Sequence, residues 1–435
     1  MDFIIEGGKI VLPDKTIEGA IAIDDGKILK VGNEPTLPRA DTIIRIPGKL
    51  VFPGIIDIHV HLRDLELSYK EDFTTGTQAA VVGGVTSLQD MPNTKPLTNS
   101  LTALKAKKEI AQKKILVDTG FFSLLPDHLS EIDEILREGI VGFKIFPHSP
   151  YSTLPLTLEN LKEVFARING KIPLAIHPDL STDGEANINE FLTTHSNQQE
   201  TKAIEWIGNI LTMRDRLHIC HVSAREALQE VNRLKIRGLN VSCEVTPHHL
   251  LLTQDLLSSK KGWIKMLPPL RTNEDVRTLQ SALKKGSIDA IASDHAPHTL
   301  KEKAQSFAQA PPGIPGLETL LSLTIDYAIK ENTPLHLLGR LLSTNPAKIY
   351  GLTNKGGIIE GRDADLVIID PKKKNEIDAS QFLSKAKYSP FDGFQLNVTP
   401  MMTLIRGTIA CEDSEILIQP GFGKLISGTK TREFK

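Results

Sequence analysis

The chain has 435 residues, of which 40% are apolar and 24% are charged, and its formal net charge is −2. A chain of this length and composition can bury a large core, and we expect one or two globular domains. The nearly balanced charge gives no electrostatic reason to expect a nucleic acid or a membrane surface as a partner.

Neither disulfide pairing nor export is indicated by the sequence. The three cysteines, Cys220, Cys243 and Cys411, are widely separated and form no disulfide framework and no zinc-type spacing. The first residues lack the basic region and the long apolar core of a signal peptide. No apolar run approaches the ~18 residues of a membrane span. We therefore expect a cytoplasmic protein.

Short strands separated by turns are predicted for residues 1–50, where Asp25-Gly26 is a hairpin signal. Similar strand-like runs return at residues 364–370 and 402–407. Neither end of the chain has enough strands for an independent core. We therefore expect residues 1–50 and 356–435 to form one small β domain beside a larger domain, residues 51–355.

The larger domain alternates strand-like and helix-like segments. Eight candidate strands end near His61, Pro92, Phe122, Phe146, Pro178, Ser223, Pro247 and Pro297. Helices are predicted at 101–113, 131–138, 158–168, 200–214 and 224–237. This alternation over roughly 240 residues is typical of a (β/α)8 barrel in the α/β class, and a doubly wound open sheet is the alternative. Polar residues at many strand ends favour the barrel, and residues 179–199 are predicted to form a polar loop over the site.

The first chemical motif is residues 57–64 (DIHVHLRD), which follow the apolar run 50–56. Strand side chains alternate between faces, so His59, His61 and Arg63 should project on the same side. Two imidazoles can hold a metal ion, and the arginine beyond them can bind an anion. A pair of core histidines bonded to backbone carbonyls is the simpler alternative, and only further ligands at other strand ends argue against it.

Those further ligands are predicted at four places. Lys144 lies in an otherwise apolar strand, where burial favours a neutral amine that can take up carbon dioxide and become a metal-bridging carbamate. A snorkelling or ion-paired lysine is the alternative. His177 and His221 follow two more strands and could each supply an imidazole to a second metal ion, whereas His218 should face the other side of its strand. Asp294 could bind a metal ion and exchange a proton with water, or it could cap a turn.

Two other stretches are interpreted without a catalytic role. His248-His249 follows a strand-like run, but the predicted ligand set is already large enough for two metal ions without it. Residues 311–316 (PPGIPG) lack the lysine pattern of a phosphate-binding loop. Their composition alone is typical of a turn-rich connection.

Three stretches of the sequence resemble the amidohydrolase superfamily, and within it the dihydroorotases. They are residues 57–63 (DIHVHLR), 90–94 (DMPNT) and 292–298 (ASDHAPH) with Lys303. Further stretches typical of this family lie at 69–72, 83–86, 246–250, 316–319 and 345–347. The resemblance therefore spans most of the chain.

This resemblance implies a barrel with a binuclear zinc centre at the carboxyl ends of its strands. Six side chains correspond to the family's ligands: His59, His61 and Asp294 for one zinc ion, His177 and His221 for the other, and carboxylated Lys144 between the two. The groups that correspond to the family's substrate-binding residues are Arg63, Asn93, His298 and the backbone near Pro312 and Gly313.

The implied reaction is the reversible cyclisation of N-carbamoyl-L-aspartate to L-dihydroorotate, a step of pyrimidine biosynthesis. In the hydrolytic direction a hydroxide held by the zinc ions attacks the ring carbonyl, and Asp294 carries its proton to the leaving nitrogen. The planar fork of Arg63 suits the substrate carboxylate. The family also implies a homodimer, or an assembly with aspartate carbamoyltransferase.

The sequence departs from the family pattern at three places. Asp64-Leu65-Glu66 replaces the common Glu-Pro-Gly, and Pro178-Asp179 replaces Ala-Glu after the histidine of the fifth strand. Leu267 stands where many bacterial members have an asparagine that contacts the substrate, and leucine cannot make that hydrogen bond. None of these changes removes a predicted metal ligand.

Two alternative functions remain open from the sequence. Another cyclic amidohydrolase, such as a hydantoinase or an allantoinase, would not need the carboxylate-binding set Arg63, Asn93 and His298. A metal-poor homologue that only scaffolds aspartate carbamoyltransferase would have lost ligands, and this chain has lost none. The dihydroorotase reaction is therefore the favoured expectation.

Overall fold

The computed structural model describes residues 2–32, 37, 40, 42–147, 151, 154–181 and 187–428. The strands are β1 (Phe3–Val11), β2 (Thr16–Asp24), β3 (Lys27–Gly32), β4 (Ile43–Arg45), β5 (Leu50–Pro53), β6 (Ile55–Val60), β7 (Val85–Asp90), β8 (Asp118–Leu124), β9 (Gly142–Ile145), β10 (Leu174–Ile176), β11 (Arg216–Ile219), β12 (Asn240–Val245), β13 (Ala290–Ile291), β14 (Leu366–Asp370), β15 (Asn375–Glu376), β16 (Gln395–Leu396), β17 (Thr399–Ile405), β18 (Thr408–Glu412), β19 (Glu415–Ile416) and β20 (Leu425–Ile426).

The helices lie mostly between the barrel strands. They are α1 (Phe73–Val82), α2 (Leu101–Lys114), α3 (Ile132–Glu138), α4 (Leu158–Ile168), α5 (Ile188–Thr194), α6 (Asn197–Gly208), α7 (Arg225–Ile236), α8 (Pro247–Leu251), α9 (Leu256–Lys260), α10 (Asn273–Lys285), α11 (Leu300–Lys303), α12 (Leu320–Lys330), α13 (Leu335–Gly339) and α14 (Asn345–Tyr350). None of the helices in the described ranges combines the length and the apolar character that crossing a bilayer requires.

Strands β6 to β13 form one parallel sheet in which each strand pairs with the next along the chain. The sheet closes where the backbone N–H of His61 donates to the carbonyl of His295 at 2.8 Å. Parallel strands joined by helices, with the last strand segment returning to the first, make a (β/α)8 barrel. The predicted fold class is confirmed.

Six of the eight barrel strands end within two residues of the predicted positions, whereas β11 ends at Ile219 and β13 at Ile291, four and six residues before the predicted ends. Two connections also differ from the prediction. The helix predicted to reach Arg214 ends at Gly208. The carboxylate of Asp215 accepts from both the N–H and the hydroxyl of Thr212 at 2.8 Å, which fixes a turn instead of another helical turn. The segment 179–199 is not only loop, because Asn187 caps the short helix α5. Residues 182–186 of that segment lie outside the described residues.

A second sheet combines strands from both ends of the chain in the order β19-β18-β17-β14-β5-β1-β2-β3, with β4 paired to β1. Strand β5 joins the two ends, because it pairs with β1 on one side and with β14 on the other. The predicted small β domain built from both termini is therefore present. The division at residues 50/51 and 355/356 stays a prediction.

Two segments near the carboxyl end leave this sheet and contact the barrel. Strand β20 pairs with barrel strand β8. The segment between β14 and β17, residues 371–398, is called the arm below. It folds back through the β15–β16 pair and buries Ile377, Phe382, Tyr388 and Phe391 against apolar side chains of the barrel connections.

A buried charge network joins the small sheet to the bottom of the barrel. Lys355 Nζ lies 2.5 Å from Asp118 at the start of β8, and 2.9 and 2.8 Å from Asp363 and Asp365, which precede β14. Arg406, which follows β17, also pairs with Asp118. Because each carboxylate has a cationic partner, the network satisfies the buried charges at this domain contact.

Candidate metal centre and substrate pocket

The carboxyl ends of the barrel strands open into a cavity of about 610 Å³. All but one of the predicted site residues line it: His59, His61, Arg63, Asn93, His177, His221, Asp294, His298, Pro312 and Gly313. The exception is Lys144, which is fully buried. The side chains that the sequence predicted to act together therefore meet at one place.

Two histidines of the first motif face one carboxylate oxygen. His59 Nε2 and His61 Nε2 lie 3.4 and 3.3 Å from Asp294 Oδ1. Their other ring nitrogens are occupied, since His59 Nδ1 contacts Glu244 at 2.5 Å and His61 Nδ1 contacts the side-chain oxygen of Asn93 at 2.6 Å. Both acceptors are oxygens, so each Nδ1 carries the proton and each Nε2 presents a lone pair. Burial lowers the pKa of both imidazoles and keeps them neutral.

The other two histidines form a second donor pair. His177 Nδ1 and His221 Nε2 are 3.0 Å apart. Burial lowers the pKa of His177 to about 3 and that of His221 well below its usual value. His221 has φ 36° and lies beyond the end of β11, and its backbone N–H donates to Glu244 at 3.2 Å. Its Nδ1 has no hydrogen-bond partner within the described part of the chain.

Lys144 lies close to both donor pairs. Its amine donates to Cys220 Sγ at 2.7 Å and lies 5.2 Å from the centre of the Phe146 ring. Its charge contributes to the lowered pKa of four histidines: His59, His61, His177 and His221. Burial raises the pKa of the Cys220 thiol to about 12, so that thiol stays protonated near neutral pH.

The chemistry of this donor set fits a metal ion. His59, His61 and Asp294 place their ligand atoms within 4.8 Å of one another. Neutral imidazoles and a carboxylate are the ligands that zinc and related divalent ions bind in proteins. His177 and His221 add a second pair of imidazoles that need not lose a proton before binding. The chain therefore contains groups that can hold a metal ion.

Positive charge surrounds His298 in the cavity wall. His298 Nε2 donates to the carbonyl of Pro312 at 3.0 Å, and Lys70 Nζ donates to His298 Nδ1 at 3.1 Å. The imidazole is therefore a neutral Nε2–H tautomer, and burial beside Arg63 and Lys70 lowers its pKa well below the usual value. Arg63 Nη2 lies 3.4 Å from His298 Nε2, with its guanidinium in the cavity wall.

The backbone loop of residues 311–313 is held at three successive carbonyls. Lys303 Nζ donates to the carbonyls of Pro311 and Gly313 at 2.9 Å. His298 Nε2 donates to the carbonyl of Pro312 between them. Gly313 has φ 137°, and a Cβ atom there would lie 2.4 Å from the carbonyl oxygen of Ala296. Only glycine fits this position without strain. The loop is thus a fixed part of the cavity wall.

In a comparison with known proteins, residues 50–410 of the chain match the model of the amidohydrolase family. A dihydroorotase of Pyrococcus horikoshii is 37% identical over 420 residues, which cover 95% of this chain and 93% of that protein. One from Geobacter metallireducens is 36% identical over 427 residues, covering 94% and 99%. The chain belongs to the amidohydrolase family.

A solved structure agrees with this assignment. An L-hydantoinase (dihydropyrimidinase) from Arthrobacter aurescens superposes on this amidohydrolase with a TM-score of 0.93 at 30% identity, covering 98% of this chain and 99% of the other. The barrel and the additional β domain are thus shared with this solved structure.

Sequence reasoning missed two side chains of this amidohydrolase site and misplaced one. Glu244 contacts His59, His218 and the backbone of His221, and a carboxylate near the end of a predicted strand was the available signal. Lys70 lines the cavity, but its stretch was noted only as typical of the family. The expectation that His218 faces away from the site was wrong, because His218 Nε2 lies 3.0 Å from Glu244 inside the barrel.

The three departures from the family pattern all lie at the cavity wall or beside it. Leu267 and Asp179 line the cavity, and the carboxylate of Asp179 contacts Ser181 and His195, which also line it. Burial raises the pKa of Asp179, but its hydrogen bonds and the neighbouring His177 outweigh burial and bring the pKa down to about 2. Asp64 instead accepts from the backbone N–H of Phe73 at 2.8 Å.

The remaining histidine pair is placed as predicted, outside the set of residues that line the cavity. His249 bonds the hydroxyl of Thr246 at 2.9 Å and the carbonyl of Pro268 at 3.1 Å. Its neighbour His248 is buried. These contacts are those of a core residue that orders the turn after β12.

Proposed function

We propose that this amidohydrolase is a dihydroorotase that interconverts N-carbamoyl-L-aspartate and L-dihydroorotate in pyrimidine biosynthesis. The observation that carries the proposal is the cavity itself, which is lined both by the metal-type donors and by Arg63, Asn93 and His298. Relatives that are named dihydroorotases and are similar over nearly the full length support the same activity.

The proposal includes two zinc ions per subunit. His59, His61 and Asp294 would hold one, His177 and His221 the other, and Lys144 in its carboxylated form would lie between them. Support comes from the position of Lys144, whose charge acts on the histidines of both pairs. When bound, the two ions would make water nucleophilic near neutral pH and polarise the ring carbonyl.

Asp294 is the proposed proton carrier. Burial raises the pKa of this carboxyl above its usual value, and a carboxylate within reach of a water molecule can serve as its general base. Its Oδ1 lies at the metal side of the cavity, between His59 and His61, where the attacking water would lose its proton. Asp294 would then deliver this proton to the leaving ring nitrogen.

The substrate carboxylate is proposed to bind at Arg63. A guanidinium offers two parallel N–H groups that match a carboxylate. Asn93 uses its oxygen for His61, so its amide N–H₂ is the group left to donate to the substrate. His298 orders the Pro312 carbonyl, and the Pro312-Gly313 backbone would complete the pocket around the ring.

One experiment tests the proposed reaction. The purified protein is assayed with dihydroorotate, hydantoin and allantoin side by side, and its zinc content is measured on the same sample. We expect turnover of dihydroorotate well above that of the other two. Protein that holds two zinc ions and leaves dihydroorotate unchanged would refute the proposal.

The second candidate is hydantoin hydrolysis, which the structural similarity to the L-hydantoinase favours. The two rings differ in charge, because dihydroorotate carries a carboxylate and hydantoin does not. The cationic side chains Arg63 and Lys70 at one end of the cavity favour the charged ring. Preference for hydantoin in the same assay would assign this second function instead.

The bridging role of Lys144 has its own test. Lys144→Ala should lose most activity and most bound zinc, and short carboxylic acids added to the variant should restore part of both. An alanine variant with the full wild-type rate would exclude the bridge. The predicted homodimer, the assembly with aspartate carbamoyltransferase and the cytoplasmic location stay predictions.

A further inference from the structure

We infer that the arm, residues 371–398, is part of the machinery that orients the substrate, and that Tyr388 and Lys385 are positioning residues for the pocket. The inference rests on the proposed function, because it concerns the carboxylate side of the dihydroorotase pocket. Neither residue lines the cavity. Each acts through a loop that does.

Tyr388 holds the loop of residues 311–313. Its hydroxyl donates to the carbonyl of Gly313 at 3.2 Å, the same carbonyl that accepts from Lys303 Nζ at 2.9 Å. The tyrosine ring lies 5.7 Å from that ammonium and is itself buried. A backbone carbonyl with two side-chain donors in a buried site has little freedom to rotate. The arm thus fixes the peptide that carries Gly313.

Lys385 and Ser384 hold the loop on the other side of His298. Lys385 Nζ lies 2.5 Å from Asp72 and 2.6 Å from the carbonyl of Ser68. The hydroxyl of Ser384 donates to the buried carboxylate of Glu71. The arm therefore contacts the chain on both sides of Lys70, at Ser68 and at Glu71 and Asp72, and Lys70 itself lines the cavity.

Both loops act on the same imidazole. Lys70 donates to His298 Nδ1, and His298 Nε2 donates to Pro312. The two nitrogens are therefore bound by the two loops that the arm supports. Loosening either loop changes the orientation of His298 beside Arg63, where the substrate carboxylate is proposed to bind. None of these bonds joins the arm to a proposed metal ligand. Loosening the loops should therefore weaken the binding of the substrate and leave the binding of zinc unchanged.

The test is Tyr388→Phe, which removes one hydroxyl and keeps the ring. The net contribution of one neutral hydrogen bond predicts a rise in KM for dihydroorotate of about fivefold. The kcat and the zinc content should stay at the wild-type values. Tyr327→Phe is the matched control, since its buried hydroxyl has no hydrogen-bond partner within the described residues and belongs to α12. An unchanged KM in Tyr388→Phe, or an equal fall in kcat, would overturn the inference.

Lys385→Met gives a second, independent variant on the other loop. It should also raise KM with kcat unchanged, whereas Lys374→Met, in the exposed start of the arm, should do neither. Equal effects of the two methionine variants would overturn the role of Lys385.

Hydrogen exchange separates this inference from the proposed reaction. In the zinc-loaded protein, Tyr388→Phe should speed exchange of the amides that residues 311–316 carry, those of Gly313, Ile314 and Gly316, and leave exchange in β6 unchanged. If dihydroorotate is not turned over but exchange changes in this way, the proposed reaction fails and the support by the arm stands. If the exchange of 311–316 is unaffected, the inference fails whatever the substrate is.

Discussion

Glu244 joins three of the histidine residues at the metal side of the cavity. Its two oxygens contact His59 at 2.5 Å and His218 at 3.0 Å, and the first also accepts from the backbone of His221. Burial opposes its ionisation, but the neighbouring imidazoles outweigh burial and lower its pKa below the usual range. A carboxylate that holds the far nitrogen of a ligating histidine fixes both the tautomer and the direction of the ring.

We predict that Glu244→Gln weakens zinc binding by about 10- to 100-fold, because the amide orients His59 less firmly than the carboxylate. Competition with a chromogenic chelator measures this affinity. The exposed Glu274→Gln is the control and should bind zinc as the wild type does. Wild-type affinity in Glu244→Gln would show that the ring of His59 is oriented by other contacts.

Arg63→Lys tests the proposed binding of the substrate carboxylate by a single side chain. A lysine keeps the charge but loses the bidentate fork, so dihydroorotate should bind about 10- to 100-fold more weakly, as expected for one lost charge-assisted hydrogen bond. The KM from initial rates measures the change, and metal analysis should give an unaltered zinc content. Loss of zinc in this variant would contradict the assignment of Arg63 to the substrate.

Residues at strand ends could be predicted from the sequence, whereas residues that act through other side chains could not. The meeting of His59, His61 and Asp294 at one cavity was predictable because each lies at or just beyond a strand end, where position along the chain fixes position in space. Glu244 and Lys70 act through other side chains, and a sequence gives no distance between residues far apart along the chain. His218 was misplaced because His221 lies beyond β11 with φ 36°, so the alternation of strand side chains does not extend to it.

At the scale of elements, a buried ion pair fixes α2 against the end of β7. Lys107 Nζ lies 2.6 Å from Asp90 Oδ2 and 3.0 Å from the carbonyl of Met91, and both side chains are fully buried. Asp90 also accepts from the backbone N–H of Leu62 at 2.8 Å. The pair therefore sets the position of the first motif as well as that of the helix.

Lys107→Met should lower the free energy of unfolding by about 3–5 kcal/mol, since it leaves a buried carboxylate without its cation. Burial already raises the pKa of Asp90, so the loss should shrink at acidic pH, where this carboxyl takes up a proton. Urea denaturation at neutral and acidic pH measures both effects. Lys113→Met, which removes an exposed pair with Glu109, should cost about 0–1 kcal/mol. Equal losses in the two variants would argue against a buried pair.

Most barrel elements were predictable because apolar strands and capped helices leave a local pattern in the sequence. Helix α4 occupies the predicted residues 158–168, with Thr157 as its N-cap and a left-handed Asn169 at its end. The arm was not predicted, because it has little regular structure and its placement is set by the apolar contacts of Phe382 and Tyr388 with the barrel. Contacts between distant segments have no such local signature.

At the scale of the whole molecule, the buried histidines make stability depend on pH. Burial lowers the pKa of His177 and His249 to about 3, from 6.5 in the unfolded chain. His59, His61, His221 and His248 shift in the same direction. Between about pH 3 and pH 6.5 the unfolded chain therefore binds more protons than the folded chain. The stability is therefore fully present above about pH 6.5 and decreases as the pH falls towards 3.

We predict that the metal-free protein has a lower denaturation midpoint at pH 5.5 than at pH 7.5. Each fully shifted histidine contributes at most about 1.4 kcal/mol per pH unit below its unfolded pKa. Urea titrations with a chelator present, at several pH values, measure the slope. A midpoint independent of pH over this range would show that these imidazoles are not held neutral in the folded chain.

The position of β5 between β1 and β14 has a consequence for synthesis on the ribosome. Residues 50–53 emerge about 300 residues before β14, the strand that covers their free edge. At roughly 5–20 residues per second, that edge waits for roughly 15–60 s. An uncovered strand edge is a template for pairing with another nascent chain. Chaperone capture of early translation products is therefore expected to concentrate on this apolar edge.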